Sequence, residues 1–147
     1  MRDCEKGPFK VMNLKNARTI VDVGIVKARE LGVKVAIAIL DAGGHLILIE
    51  RMDDAGFLSP EIAYGKAFAS VAFKRSSAEI QTLSETKPTF FSGVTTMTQG
   101  RFLPGMGALP ILQEDLCLGA IGVSGAKAAQ DQEIAEACIQ ALSLSSE

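Results

Sequence analysis

The stretch "VKVAIAIL-DAGG-HLILIER", residues 33–51, constrains this chain more than any other. Two strongly β-prone runs, 33–40 and 45–51, are joined by a short Asp/Gly turn, which is the signature of a β-hairpin. The first run is apolar on both faces, so it is expected to be a central strand covered by helices on at least one side. A second pair, "ALPILQE" and "LCLGAIGVS", repeats the pattern around Glu114-Asp115. Strands that come in consecutive pairs make a mainly antiparallel sheet, and helical segments between them make an α+β layer fold.

Those helical segments can be read from their spacing. Leu14, Ala17, Ile20, Val21, Ala28 and Leu31 recur at three- and four-residue steps, and Gly32 ends the run. "SPEIAYGKAFASVAFK" (59–74) opens with Ser59 as the expected N-cap and Pro60 at the first helical position. Ser76 and Glu79 form a capping box for a second, short helix. A last helix is expected from about Ala128 to Leu144, with Ile134, Ala137, Cys138 and Ala141 on one face. Between them, residues 85–107 carry Pro88, Gly93, Gly100, Pro104, Gly105 and Gly107, with Phe90, Phe91 and Phe102 interspersed. They read as a long loop, of the kind that carries function or an oligomer contact. The expected order is α-β-β-α-α-loop-β-β-α, with residues 1–12 a loose polar lead-in and 13–147 a single domain.

Composition excludes several partners. Seventeen acidic against fifteen basic residues leave no electrostatic reason to expect nucleic acid or an anionic membrane, and no Trp with one Tyr leaves few platforms for stacking bases. Cys4, Cys117 and Cys138 are an odd set without C-x-x-C spacing, as expected for reduced thiols, with the latter two acting as small core residues. The start, "MRDCEKGPFKVMN", has no apolar signal-peptide region, and no apolar run approaches the ~20 residues that cross a bilayer. These features predict a cytoplasmic protein.

The segment "GAIGVSGAKAAQDQEIAEA", 119–137, has the strand–glycine–helix order of a phosphate cradle. Its glycines run G-x-x-G-x-x-G, however, and no Lys-Ser/Thr pair follows, so it is not a P-loop. Without a parallel βαβ unit it is not a dinucleotide fingerprint either. Gly119 and Gly122 are expected instead to allow close backbone packing. Ser124 and Gly125 stand where strand gives way to helix, and are candidates for binding a ligand through backbone N–H groups.

With "VAIAILDAGGHLILIERMDDA", "SPEIAYGKAFASVAFKRSS" and "ALPI", this segment closely resembles the GlcG/HbpS-like family, which also supplies the C-terminal domain of PduO-type cobalamin adenosyltransferases. The resemblance covers roughly residues 13–142. It implies an antiparallel five-stranded sheet with helices on its faces, similar to profilin-like domains. It also implies homo-oligomers from dimers to octamers, and binding of haem or another tetrapyrrole in some members.

Several residues are candidates for a ligand site. His45, the single histidine, can serve as a haem-iron ligand or a general acid/base, or can simply start the second strand. Arg51 and Asp53, in "ERMDDA", either form a surface pair or present a fork to a ligand carboxylate. Lys66 lies among small and apolar neighbours, where it either is partly buried with a lowered pKa or, as is commoner, snorkels to solvent, and it matches the family's lysine-alanine helix. Gly105, Gly107 and Pro110 shape the approach to the third strand, where relatives carry Gly-Gly-x-Pro and this chain has Ala108 in place of the second glycine. Asp131 reads as a first-turn acid complementing the helix dipole. No H-x-x-x-H, Cys/His set or G-x-S-x-G elbow is present, which excludes a zinc cluster and a serine hydrolase. Three functions remain open: a homo-oligomeric binder of haem or another tetrapyrrole, an enzyme acting on a small organic acid through Lys66 and Arg51, and a ligand-free assembly protein.

Overall fold

The computed structural model describes residues 11–144. The lead-in expected over residues 1–12, with Cys4, falls almost wholly outside them. The elements run α1 (Leu14–Leu31), β1 (Ala36–Asp41), β2 (Leu46–Arg51), α2 (Ser59–Phe73), α3 (Ser77–Thr86), α4 (Pro88–Met97), β3 (Ala108–Gln113), β4 (Leu116–Ser124) and α5 (Ala128–Leu144). Both hairpins form, and β1 pairs with β4, so the sheet is antiparallel throughout in the order β2-β1-β4-β3. It has four strands among the described residues rather than the five that the family resemblance implied. The two hairpins supply all four, and the described chain between and around them is helix or short connection.

The pleat sorts the sheet's residues into two cores. Ile37, Ile39, Ile121 and Val123 pack with Ala17, Ile20 and Val21 of α1 and Ile134, Ala135 and Cys138 of α5. Leu40 and Ala120, on the other face, pack with Ala67 and Val71 of α2. β1 is therefore covered on both sides, as its unbroken apolar run requires. Gly122 makes the close approach of α2 possible. A Cβ there would run into the carbonyl oxygen of Ala63 and lie 2.9 Å from the Ala67 Cβ. Gly119 likewise lies against the Leu40 carbonyl. Pro110, which has no N–H to donate, sits in the edge strand β3, where one donor is dispensable.

Two local expectations are corrected. Residues 85–107 are not one loop, because α3 runs to Thr86 and α4 follows after Lys87. Pro88 acts here as a helix starter at the first turn, not as a breaker. Gly93 lies in open space on α4 and does not interrupt it. The aromatic residues of this region form a core of their own, in which Phe102 is 1% exposed and meets Phe73 edge-on at 5.4 Å between centroids. At α2 the N-cap is Leu58, without a side-chain bond, and Ser59 is already helical. Asn13, Gly32 and Ser76 end their helices as side-chain or left-handed caps. No described helix is long and apolar enough to cross a membrane.

Candidate functional site

The first turn of the chain, "DAGGH", builds a small device at the tip of the β1–β2 hairpin. Asp41 Oδ1 accepts hydrogen bonds from the Gly43 and His45 amides, both at 2.9 Å, fixing the turn. The same oxygen lies 3.3 Å from His45 Nδ1. Gly43 leaves room for the ring, since a Cβ there would lie 2.9 Å from both Nδ1 and Cε1. Gly44 takes a positive φ of 80° that closes the turn. The His45 side chain is 81% exposed, with Nδ1 near the Asp41 carboxylate and Nε2 without a partner among the described residues. This carboxylate lies four residues upstream and is brought back by the turn. Leu46, Leu112 and Leu116 are exposed at the same end of the sheet.

Lys66 occupies a different place. It is 4% exposed, and its Nζ donates to the Met106 carbonyl at 2.9 Å and to Asp131 Oδ2 at 3.3 Å. Asp131 Oδ1 accepts from the Ala126 amide at 3.0 Å, tying the pair to the start of α5. Burial pushes the Lys66 pKa down and the Asp131 pKa up, and their mutual attraction opposes both shifts. Gly105 and Gly107 form the cover. A Cβ on Gly107, whose φ is 125°, would lie 2.6 Å from Lys66 Nζ, and one on Gly105 would lie 3.4 Å from Lys66 Cδ. Gln81 and Gln132 hold this cover by accepting from the Met106 and Gly107 amides at 3.2 Å. Ala108 needs no glycine, because the positive φ falls on Gly107 and the Ala108 backbone is clasped by Ser77 Oγ. Asp131, read from sequence as a dipole partner, is thus the buried counter-ion of Lys66. A pairing across 65 residues has no local sequence signal.

The structure separates Lys66 from His45 and from Arg51. Gly107 accepts from Val123, which pairs with Ile37, so the lysine head is level with the start of β1. His45 lies beyond Asp41, roughly 13 Å further along the strand at its ordinary rise. Arg51 ends the opposite edge strand and, with Asp53, borders a recess of about 250 Å³ that Ile25, Arg29, Lys34, Glu50 and Met52 complete. Ser124 is buried at the end of β4, and Gly125 follows with φ 132°, its hypothetical Cβ 2.5 Å from the Lys34 carbonyl. The amides of Ala126 and Lys127 at α5 are already taken by Asp131 and Gln130 of the same helix. Those two amides are therefore not offered to a ligand.

A groove of about 650 Å³ between α3 and α4 escaped sequence reasoning, because the segment read as a loop. Phe73, Ile80, Leu83, Phe90 and Phe91 line it, with Arg75 and Lys87 at its border. Neither cation has a carboxylate within 4 Å among the described residues.

A helix-covered antiparallel sheet with a surface imidazole at one end and an aromatic groove beside it defines a small α+β protein. Among the described residues no group of three His, Cys, Asp or Glu side chains converges to hold a metal ion. The chain belongs to the family described as "Haem degrading protein HbpS-like", whose model matches residues 12–140. It is 31% identical over 137 residues to the corrinoid adenosyltransferase PduO of Citrobacter freundii, covering 93% of this chain but 41% of that protein. The Klebsiella pneumoniae protein ORFY superposes with a TM-score of 0.84 at 29% identity, covering 97% of each chain. The PduOC:heme complex superposes with a TM-score of 0.81 at 27% identity, covering 89% of this chain and 94% of that one.

Proposed function

We propose that this protein is a cytoplasmic, homo-oligomeric binder of haem or a related tetrapyrrole, with His45 as the iron ligand. The Asp41–His45 pair carries the reading. A ligating histidine ordinarily presents one ring nitrogen to the metal while a carboxylate or carbonyl holds the other, and Asp41 Oδ1 stands 3.3 Å from Nδ1 while Nε2 has no partner among the described residues. Haem needs a single protein donor of this kind, because the macrocycle supplies the rest of the iron's plane. The exposed leucines at the same end of the sheet offer apolar contact to the macrocycle and to a second subunit. The haem complex of a relative with the same fold supports the ligand class.

The α3–α4 groove favours a second reading, in which the tetrapyrrole is held without axial ligation. Its volume falls within the usual range of ligand pockets, about 300–1,000 Å³. Arg75 and Lys87 suit propionate groups, and no His, Cys, Met or Tyr lines the groove. The organic-acid enzyme built on Lys66 and Arg51 draws less support, since Lys66 is satisfied by Met106 and Asp131 and lies towards the far edge of the sheet from Arg51.

The test is an absorbance titration of sized oligomer with haemin and, separately, with iron-free protoporphyrin. Wild type is compared with His45→Ala and with Arg75→Glu/Lys87→Glu. Loss of the Soret shift in His45→Ala, with porphyrin binding retained, supports axial ligation. Equal weakening of both ligands in the charge-reversed variant supports the groove. Unsaturable binding that neither variant alters overturns both.

A further inference from the structure

The start of α2 combines features that serve no purpose visible within the chain. Ser59 and Ser124 are each 6% exposed, yet neither hydroxyl has a hydrogen-bond partner among the described residues. Among the described residues every fully enclosed side-chain oxygen and nitrogen does have one, so these two hydroxyls open onto accessible space. Ser59 Oγ lies beside Gly125, where a Cβ would be 3.3 Å away, and Ser124 stands two residues past Gly122 on the face of β4 that packs on α2. The helix that begins there has no side-chain cap. The Ser59 amide is taken by Gly56 and Ile62 by Leu58, Pro60 has no N–H, and the Glu61 amide has no acceptor. In the sheet, Ser124 and Arg51 both pair with Ala36, so they stand on one cross-strand row with only a methyl between them. Two strand spacings put their backbones about 10 Å apart, within reach of an arginine side chain and a small ligand together. Lys34, whose backbone carbonyl lies against Gly125, is a second cation and shares the recess that Arg51 borders. Neither Arg51 nor Lys34 has an ion pair among the described residues.

We propose that this corner binds a small oxyanion, the carboxylate or phosphate group of a soluble metabolite. The Ser59 and Ser124 hydroxyls and the Glu61 amide donate to it, and Arg51 and Lys34 supply charge. Unpaired, nearly buried hydroxyls beside a helix N-terminus provide what an oxyanion requires, with hydrogen-bond donors and a favourable dipole. Asp53, Asp54 and Glu61 are exposed nearby and limit the field, so recognition rests on the hydrogen bonds and selects a small, singly placed group. The site lies at the opposite end of β1 from His45 and is independent of the tetrapyrrole reading.

The experiment is an amide-resolved NMR titration of the intact protein with inorganic phosphate, with acetate, and with chloride at matched ionic strength. Ser59→Ala, Ser124→Ala and Arg51→Gln are run alongside after their circular dichroism has been matched to wild type. Saturable shifts centred on Ser59, Glu61 and Gly125 with phosphate or acetate are expected, and the better of the two names the group. Removing either hydroxyl is expected to weaken binding roughly tenfold. An equal response to chloride, shifts centred elsewhere, or affinity unchanged in both serine variants would overturn the proposal. Should a variant fail to fold, the location and saturation of the wild-type shifts decide by themselves.

Discussion

Replacing Asp131 with Asn leaves Lys66 buried beside a neutral amide. The amide oxygen can still accept from Ala126, so the change isolates the charge. Lys66 then keeps an uncompensated charge at 4% exposure or gives up its proton. The second course sets a ceiling: an ordinary lysine titrates about three and a half units above pH 7, and each unit is worth about 1.4 kcal/mol, giving ~5 kcal/mol. Breaking one partner of a buried pair typically costs about 3–5 kcal/mol, which agrees with that ceiling. For a domain of this size the loss corresponds to roughly 10–15 °C in Tm. The sign of its pH dependence follows from Lys66. With its folded pKa lowered further, the unfolded variant binds one proton more than the folded one over the alkaline range. The variant's stability should therefore rise with pH, by up to about 1.4 kcal/mol per unit, until the unfolded lysine titrates. Urea unfolding of wild type, Asp131→Asn, Lys66→Met and the double variant between pH 7 and 10 is the assay. A deficit below about 1 kcal/mol, one that does not narrow with pH, or additive single losses would refute the assignment of a coupled buried pair.

Other outcomes follow from packing. Gly122→Ala drives a methyl into the Ala63 carbonyl and should cost about 1–3 kcal/mol, read as a lower urea midpoint at unchanged slope. Phe102→Ala empties the centre of the aromatic core and should cost about 3–5 kcal/mol in the same assay. Burial pushes the Cys138 thiol up to about 12, so at pH 8 it should react with a disulfide reagent only under denaturing conditions. Fast native-state labelling of Cys138 would show that α1 and α5 are not packed as described.

What the sequence determined is the part of this protein that local chemistry can fix. Alternation and turn residues placed both hairpins, and three-to-four-residue spacing with Gly32 and Ser76 placed α1 and the start of α3. Where propensity signals conflicted, the sequence misled: Pro88 and Gly93 read as loop, while the aromatic residues around them had a core to fill, and packing won. The tertiary structure alone decided the sites. Lys66 meets Asp131 across 65 residues, Ser59 Oγ comes up beside Gly125, and α3 and α4 enclose a groove whose walls come from separate segments. Even the His45 device, only five residues long, depended on how the turn closes and which rotamer Gly43 leaves room for. Patterns of hydrophobicity repeat along a chain and can be read there. A charge finding its counter-ion, or a helix start meeting the end of a distant strand, depends on distances that exist only after the layers have packed.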